Sequence, residues 1–178
     1  MGNSQKKAQE NFEKITQGLA EGIPLKEFNG ISDKSMEAIY ATAFNLYESG
    51  KYVDSEKIFR FLCINDQYEK KYFIGLGACR QMLKAYKSAV DCYSHAAILD
   101  STDPQIAYHA GCCHLALEDY TKAVSGFTAA VRFAGEDPRH AAIKKEASGK
   151  LLLAQQQLNK GGQGEPSDST ASTSAANG

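Results

Sequence analysis

The stretch "AYKSAVDCYSHA" (85–96) holds large and small side chains in alternation, at steps of three, four and three residues: Tyr86, Ala89, Tyr93 and Ala96. This spacing places all four on one face of an α-helix. The pattern returns thirty-four residues later in "DYTKAVSGFTAA" (119–130) and occurs thirty-four residues earlier in "KYVDSEKIFRFL" (51–62). Three occurrences at one constant period indicate a protein built from repeats.

In register, the repeats begin at Met36, Lys70 and Pro104, and each predicts an antiparallel pair of helices. The eighth and twentieth positions are small in every repeat: Ala43, Gly77 and Gly111, then Ser55, Ala89 and Ala123. Position 24 is aromatic in every repeat: Phe59, Tyr93 and Phe127. Two helices approach closely only where a side chain at their crossing is very small, and large side chains fill the space beside it. The pattern therefore predicts tightly crossed helix pairs.

This pattern resembles the tetratricopeptide repeat. The predicted fold class is all-α, a solenoid with three repeats over residues 36–135, in register as 36–69, 70–103 and 104–137. The eleventh position departs from the usual Tyr in all three repeats, where it is Leu46, Arg80 and His114. These departures mark a divergent subfamily and break no helix.

Residues on either side of the repeats are predicted to form further elements. Residues 1–35 read as a helix and a linker, and residues 138–160 as a capping helix that closes the solenoid. The first helix carries an apolar stripe that predicts self-association as a homodimer: Ala8, Phe12, Ile15 and Leu19. Residues 161–178 show no apolar periodicity and are predicted to be a disordered tail.

Charge and composition exclude several classes of function. The formal net charge of −1 gives no reason to expect nucleic acid or an anionic membrane as a partner. We find neither an apolar stretch long enough to span a bilayer nor an export signal, so the expected location is the bacterial cytoplasm. Five cysteines, an odd number, are expected to stay reduced.

Chemistry at a catalytic or metal centre is not expected. In "HAGCCHL" (109–115) the two adjacent cysteines would point about 100° apart on a helix, and the chain has no Cys-x-x-Cys pair to complete a tetrahedral site. The histidines have no partners that would form a catalytic triad, and there is no glycine-rich phosphate loop. We therefore expect no enzyme, no cofactor and no metal.

A binding surface is expected on the concave side, which the first helices line. Positions 5, 9 and 12 of those helices face it, and they are too apolar for a face that meets only water: Tyr40, Phe44, Tyr47, Ile74, Ala78, Gln81, Tyr108, Cys112 and Leu115. Tetratricopeptide proteins that clamp a terminal carboxylate use Lys and Asn where this chain has Tyr40 and Phe44. An extended apolar peptide fits better. The alternative is that the N-terminal helix or linker covers this surface.

Several motifs resemble the class II chaperones of bacterial type III secretion: a Tyr-rich first helix, "GKY" (50–52), "FRFLCIND" (59–66) and "YFIGLG" (72–77). The resemblance covers residues 8 to 153. It implies a chaperone that keeps two hydrophobic translocator proteins soluble by holding an extended segment with Pro-x-Leu-x-x-Pro-type anchors in the concave groove. It also implies dimerisation through the N-terminal helix. The alternative function is a general tetratricopeptide adaptor that binds a peptide of a soluble partner.

Overall fold

A computed structural model describes residues 2–162 of the chain, and this part is helical with no strand. The elements are α1 (Gly2–Ala20), α2 (Leu25–Phe28), α3 (Asp33–Glu48), α4 (Tyr52–Asn65), α5 (Lys70–Met82), α6 (Tyr86–Leu99), α7 (Pro104–Ala116), α8 (Tyr120–Ala134), a 3-10 turn (Pro138–His140) and α9 (Ala141–Gly162). From α3 to α9 each helix packs against the next. The predicted all-α solenoid of three helix pairs, with an N-terminal helix and a C-terminal capping helix, is confirmed.

The ends of the chain differ from the expectation in one respect. Helix α9 continues through Gly161 and Gly162, two residues that the sequence pattern places in the disordered tail. The rest of that predicted tail, residues 163–178, lies outside the described residues. Among the residues that are described, no helix is both long enough and apolar enough to cross a membrane.

Small residues lie where the helices of each pair cross. The buried Ser55 hydroxyl donates a hydrogen bond of 2.7 Å to the backbone oxygen of Ala43, which joins α3 to α4. A Cβ atom added to Gly77 would lie 2.8 Å from the ring of Tyr93, and one added to Gly111 would lie 2.9 Å from the ring of Phe127. The aromatic rings therefore occupy the space that the glycines leave open.

Arg80 occupies the eleventh position of the second repeat, where a tyrosine is usual. It makes polar contacts with the neighbouring helices α4 and α6. Its Nε lies 3.1 Å from Glu56 Oε1, which gives the guanidinium a counter-charge. Its Nη1 donates to the backbone oxygen of Ser88 at 3.3 Å and to Cys92 Sγ at 3.1 Å. One side chain thus links α4, α5 and α6, and its partly buried charge is paired and hydrogen-bonded.

The segment before the repeats contains a one-turn helix, α2, within what was predicted to be a linker. Ser32 caps α3 by accepting a hydrogen bond from the Ser35 amide. Lys26 of α2 binds two carboxylates, Asp33 at 2.6 Å and Asp66 at 2.7 Å. Asn29 donates to Asn65 at 2.8 Å. These contacts hold α2 against the C-terminal end of α4.

Replacing Lys26 with Met should lower the free energy of unfolding by about 1–2 kcal/mol, because it leaves the largely buried Asp66 without its cation. Urea denaturation followed by circular dichroism measures this change. The matched control is Lys57→Met, which removes an exposed ion pair to Asp54 and should cost at most about 0.5 kcal/mol. Equal effects of the two substitutions would contradict the role given to Lys26.

Candidate functional site: an apolar cavity between helices α3 and α5

A cavity of about 360 Å³ opens between α3 and α5, on the side lined by the first helices of the repeats. Its lining is mainly apolar, with a polar rim: Tyr40, Phe44, Tyr47, Phe59, Lys70, Lys71, Ile74, Gly75, Ala78, Asp103 and Gln105. These residues come from α3, α4, α5 and the start of α7, so neither α1 nor the linker fills the cavity. The volume lies in the range of sites that bury ligand side chains.

Aromatic rings build the α3 wall of the cavity. The ring of Tyr40 stacks on Phe44 with centroids 6.3 Å apart and meets the edge of Phe59 at 5.9 Å. Phe44 remains 45% exposed, although it is a large apolar side chain. The rings support one another, and together they present an apolar surface whose removal from water by a ligand would be favourable.

Phe59 reaches the cavity from α4 because Gly75 leaves room for it. A Cβ atom at Gly75 would overlap the Phe59 ring. Sequence reasoning placed Phe59 in the core and did not include it among the candidate site residues. The available signal was Gly75 itself, a glycine inside a helix, which often marks a close approach by another group.

The charged rim of the cavity is paired within the protein. Lys71 Nζ lies 2.6 Å from Glu37 Oε2 and 4.7 Å from the centroid of the Tyr40 ring. Lys70 lies 2.6 Å from Asp100 and 2.8 Å from Asp103. The hydrogen bond to Glu37 raises the pKa of Lys71, and those to Asp100 and Asp103 raise the pKa of Lys70. Both lysines therefore stay charged and already have partners, which leaves the apolar wall as the main attraction for a ligand.

Five of the nine predicted groove residues line this cavity, and the other four lie elsewhere. The five are Tyr40, Phe44, Tyr47, Ile74 and Ala78. Gln81 instead accepts a hydrogen bond from the Tyr93 hydroxyl at 2.9 Å. Cys112 and Leu115 pack against the core near Ala154 of α9. Tyr108 packs there too, and its hydroxyl donates to Glu146 at 2.7 Å. A role of all nine in ligand binding stays a prediction.

The structure does not bring the cysteines and histidines of "HAGCCHL" together into a cluster of ligand side chains. No group of three His, Cys, Asp or Glu side chains in the described residues is arranged to hold an ion. Burial raises the pKa of Cys113 to about 12 and also raises that of Cys112. Both therefore remain thiols near neutral pH, and a thiol is a poor nucleophile and a poor metal ligand.

Stability should fall in mild acid because two partly buried histidines favour the neutral form. His109 stacks on Tyr93 with centroids 5.5 Å apart, and burial lowers its pKa more than nearby Glu146 and Asp103 raise it. Burial likewise lowers the pKa of His114. The unfolded chain binds these protons near the ordinary histidine pKa of about 6.5. Because the unfolded state takes up more protons, the free energy of unfolding should decrease as the pH falls below about 6.5.

Urea denaturation at pH 7.5 and 5.5 measures this loss. His109→Gln should reduce the difference between the two pH values, and His109→Gln/His114→Gln should reduce it further. An unchanged difference in the double variant would show that other groups cause the acid sensitivity.

Two named bacterial proteins are similar to this chain in sequence. No protein-family model matches the chain. It is 37% identical over 133 residues to low calcium response locus protein H of Yersinia pseudotuberculosis, an alignment that covers 75% of this chain and 79% of that protein. It is 36% identical over 111 residues to the chaperone protein SicA of Salmonella dublin, which covers 62% of this chain and 67% of SicA.

Solved structures share both fold and sequence with the chain. A T3SS complex from Aeromonas hydrophila matches with a TM-score of 0.80 and 35% identity, covering 83% of this chain and 98% of that one. PcrH of Pseudomonas aeruginosa bound to the chaperone binding region of PopD matches with a TM-score of 0.71 and 41% identity, covering 72% and 97%.

The Yersinia enterocolitica chaperone SycD bound to a peptide of the translocator YopD matches with a TM-score of 0.69 and 36% identity, covering 73% and 98%. SycD also forms dimers in crystals. The sequence identity extends over most of each of these chains, well beyond a shared helical repeat. The chain belongs to the family of class II type III secretion chaperones, the translocator chaperones.

Proposed function

We propose that this chain is a chaperone of the bacterial cytoplasm that binds an extended segment of hydrophobic translocator proteins in the α3–α5 cavity. Two such translocators are expected as partners. The observation that carries the proposal is the apolar cavity, whose wall of Tyr40, Phe44 and Ile74 lies open on the concave side. Relatives with the same fold hold translocator segments: PcrH binds PopD, and SycD binds YopD.

The energetics of such a cavity suit an extended peptide with a few apolar anchors. Each aliphatic anchor transferred from water to the aromatic wall contributes roughly 1.5–3 kcal/mol before ordering costs are subtracted. Two or three anchors therefore suffice for a dissociation constant on the order of micromolar or lower. Such binding needs no covalent chemistry, so we propose a binding protein without catalytic activity.

Binding of this kind would protect the partner. Translocators carry helices that insert into membranes, and such apolar surface associates nonspecifically in water. A chaperone that holds one flexible segment keeps its partner from assembling too early. Release then requires only dissociation, since no covalent bond or nucleotide step is involved.

A tagged pull-down from the native host, read by mass spectrometry, tests the proposal. Wild type is compared with Tyr40→Ala/Tyr47→Ala/Ile74→Asp, and with Ile98→Asp as a control because Ile98 is 80% exposed and lies outside the cavity. Secreted proteins with predicted membrane-spanning helices should be captured by wild type and by the control but not by the triple variant. Capture of such proteins by all three would disprove the cavity assignment. Capture of only soluble, non-secreted proteins would favour a general adaptor.

We further propose that the chain forms a homodimer through the apolar stripe of α1, which comprises Ala8, Phe12, Ile15 and Leu19. Phe12 is 66% exposed and Leu19 is 41% exposed, so both keep apolar surface in contact with water in the single chain. Such surface is stabilised when a second molecule covers it.

A further inference from the structure

A second pocket, of about 340 Å³, lies between α6, the end of α7 and the start of α8. We refer to it as the α6–α8 pocket. It shares no lining residue with the α3–α5 cavity, so a ligand in one does not take up the space of the other. Its lining combines two aliphatic side chains and one imidazole with four charged groups: Val90, Leu117 and His114, then Lys87, Asp91, Asp119 and Lys122.

The repeat register shows which group fills the equivalent space one repeat earlier. Arg80 lies thirty-four residues before His114, and its guanidinium reaches Glu56 at 3.1 Å and the backbone oxygen of Ser88 at 3.3 Å. In the next repeat, His114 and Val90 take the places of Arg80 and Glu56. Histidine is shorter than arginine and valine has no carboxylate. The space that a guanidinium fills between α4 and α6 is therefore left open between α6 and α8.

The α6–α8 pocket also has two carboxylates that a cation can approach. Asp91 is exposed and forms no ion pair within the described part of the chain. A hydrogen bond from the 67% exposed Lys122 holds the pKa of Asp119 below its usual range, so this carboxylate is charged. At the same two positions the preceding repeat has Lys57 and Ala85. This junction therefore differs from the preceding one by the absence of an arginine and the presence of two carboxylates.

His114 has a nitrogen whose hydrogen-bonding capacity is unused. Its Nδ1 is buried and has no hydrogen-bond partner among the residues that the structure describes. Asp119 Oδ2 lies 3.8 Å from it, which is too far for a hydrogen bond. A donor nitrogen that enters the pocket can lie about 2.9 Å from both atoms at once. Burial lowers the pKa of His114, so near neutral pH its ring carries no charge that would repel a cation.

We propose that the α6–α8 pocket binds an arginine side chain of a protein partner, in the position that Arg80 fills within the chain one repeat earlier. Arginine suits the pocket better than lysine because its planar guanidinium donates to two acceptors in a fixed geometry. Its methylene groups can pack on Val90 and Leu117 while the charged end reaches the carboxylates. The partner is distinct from the translocator segment in the cavity, and the inference does not rest on the proposed function.

Methyl NMR with a blocked arginine tests the proposal. The chain is labelled with ¹³C at the leucine and valine methyl groups and titrated with N-acetyl-arginine N-methylamide. The Val90 and Leu117 signals should shift, with a dissociation constant on the order of millimolar for a single side chain. Val53, which is 54% exposed on α4, should not respond. The uncharged citrulline analogue should bind at least about 10-fold more weakly.

Three results of this titration would overturn the proposal. The first is the absence of shifts at Val90 and Leu117, and the second is equal binding of the arginine and citrulline analogues. The third is tighter binding of free L-arginine than of the blocked form, because it would assign the pocket to a small molecule and not to a protein partner.

Two double variants test the pocket residues. Asp91→Asn/Asp119→Asn should weaken binding of the blocked arginine by about 10-fold or more, while asparagine still caps α8. Val90→Glu/His114→Arg fills the pocket with the chain's own guanidinium and should abolish binding, with the helical content unchanged by circular dichroism. The matched control is Asp54→Asn, which removes an exposed carboxylate outside the pocket and should bind as wild type does. Wild-type affinity in either folded double variant would contradict the assignment.

The independence of the two sites is tested with the cavity occupied. Saturation of the chain with the chaperone binding region of PopD should leave the affinity for the blocked arginine unchanged. Competition between the two ligands would show that the partner is not distinct from the translocator segment and would overturn that part of the proposal. A wild type that binds the blocked arginine but not the PopD region would count against the proposed function alone.

Discussion

Ala78→Glu should weaken the translocator binding that we propose for this chain by about 30-fold or more, with the PopD region that the relative PcrH binds as the test ligand. Ala78 lines the α3–α5 cavity beside the aromatic wall, where a longer side chain takes up the space of an apolar anchor. The loss of one such anchor, together with the cost of removing water from a carboxylate, amounts to about 2–3 kcal/mol. Isothermal titration calorimetry of the intact chain with the synthetic PopD region measures the change in affinity.

The matched control for this effect is Ile98→Asp, which introduces a carboxylate at an apolar position of α6 that is 80% exposed. Its affinity should equal that of wild type. Because Ala78 is partly buried on α5, circular dichroism must show the same helical content in both variants. A folded Ala78→Glu protein that binds as tightly as wild type would place the peptide elsewhere on the chain.

Gly126→Ala should lower the free energy of unfolding by about 1–3 kcal/mol, although it adds only one methyl group. A Cβ atom at Gly126 would lie 2.9 Å from the Cα of Gly111 and 3.2 Å from the backbone oxygen of Ala107. Backbone atoms cannot rotate away as a side chain can, so α7 and α8 must move apart. Urea denaturation measures the loss.

Gly149→Ala, on the capping helix α9, is a control for which the opposite change in stability is expected. A Cβ atom there meets no atom within 4 Å, so the substitution should stabilise the protein by about 0.5–1 kcal/mol through the better helix propensity of alanine. If both substitutions changed stability in the same direction, the close approach of α7 and α8 at Gly126 would not be the cause of the loss.

Much of the fold could be predicted because the side chains that determine the helix crossings recur along the sequence with a constant period. Small residues such as Gly77 and Gly111 recur at one spacing, and each lies against the aromatic ring that the pattern assigns to its repeat. The one-turn helix α2 could not be found in this way. It is too short to show a period, and it is fastened by Lys26 to Asp66, forty residues away in the sequence.

The candidate site could be predicted only in part because hydrogen bonds redirect some side chains of the expected face. Gln81 has the same register position as Tyr47, but it binds the hydroxyl of Tyr93 on the following helix. Tyr108 has the register position of Tyr40, but its hydroxyl binds Glu146, thirty-eight residues further along the chain. Periodicity shows which face of a helix a residue occupies, and it does not show which partner that residue finds.

The location of the bound peptide is the central claim, and isotope-edited NMR tests it most directly. The chain is labelled with ¹³C at the isoleucine δ1-methyl groups and mixed with the unlabelled chaperone binding region of PopD. Ile74 lines the cavity, Ile58 lies in a separate groove between α3 and α4, and Ile98 is exposed on α6, so the three methyl groups report on separate surfaces. Intermolecular nuclear Overhauser effects should connect the peptide to Ile74 and not to Ile58 or Ile98. Absence of binding, or a bound peptide whose contacts reach only Ile58 or Ile98, would contradict the account.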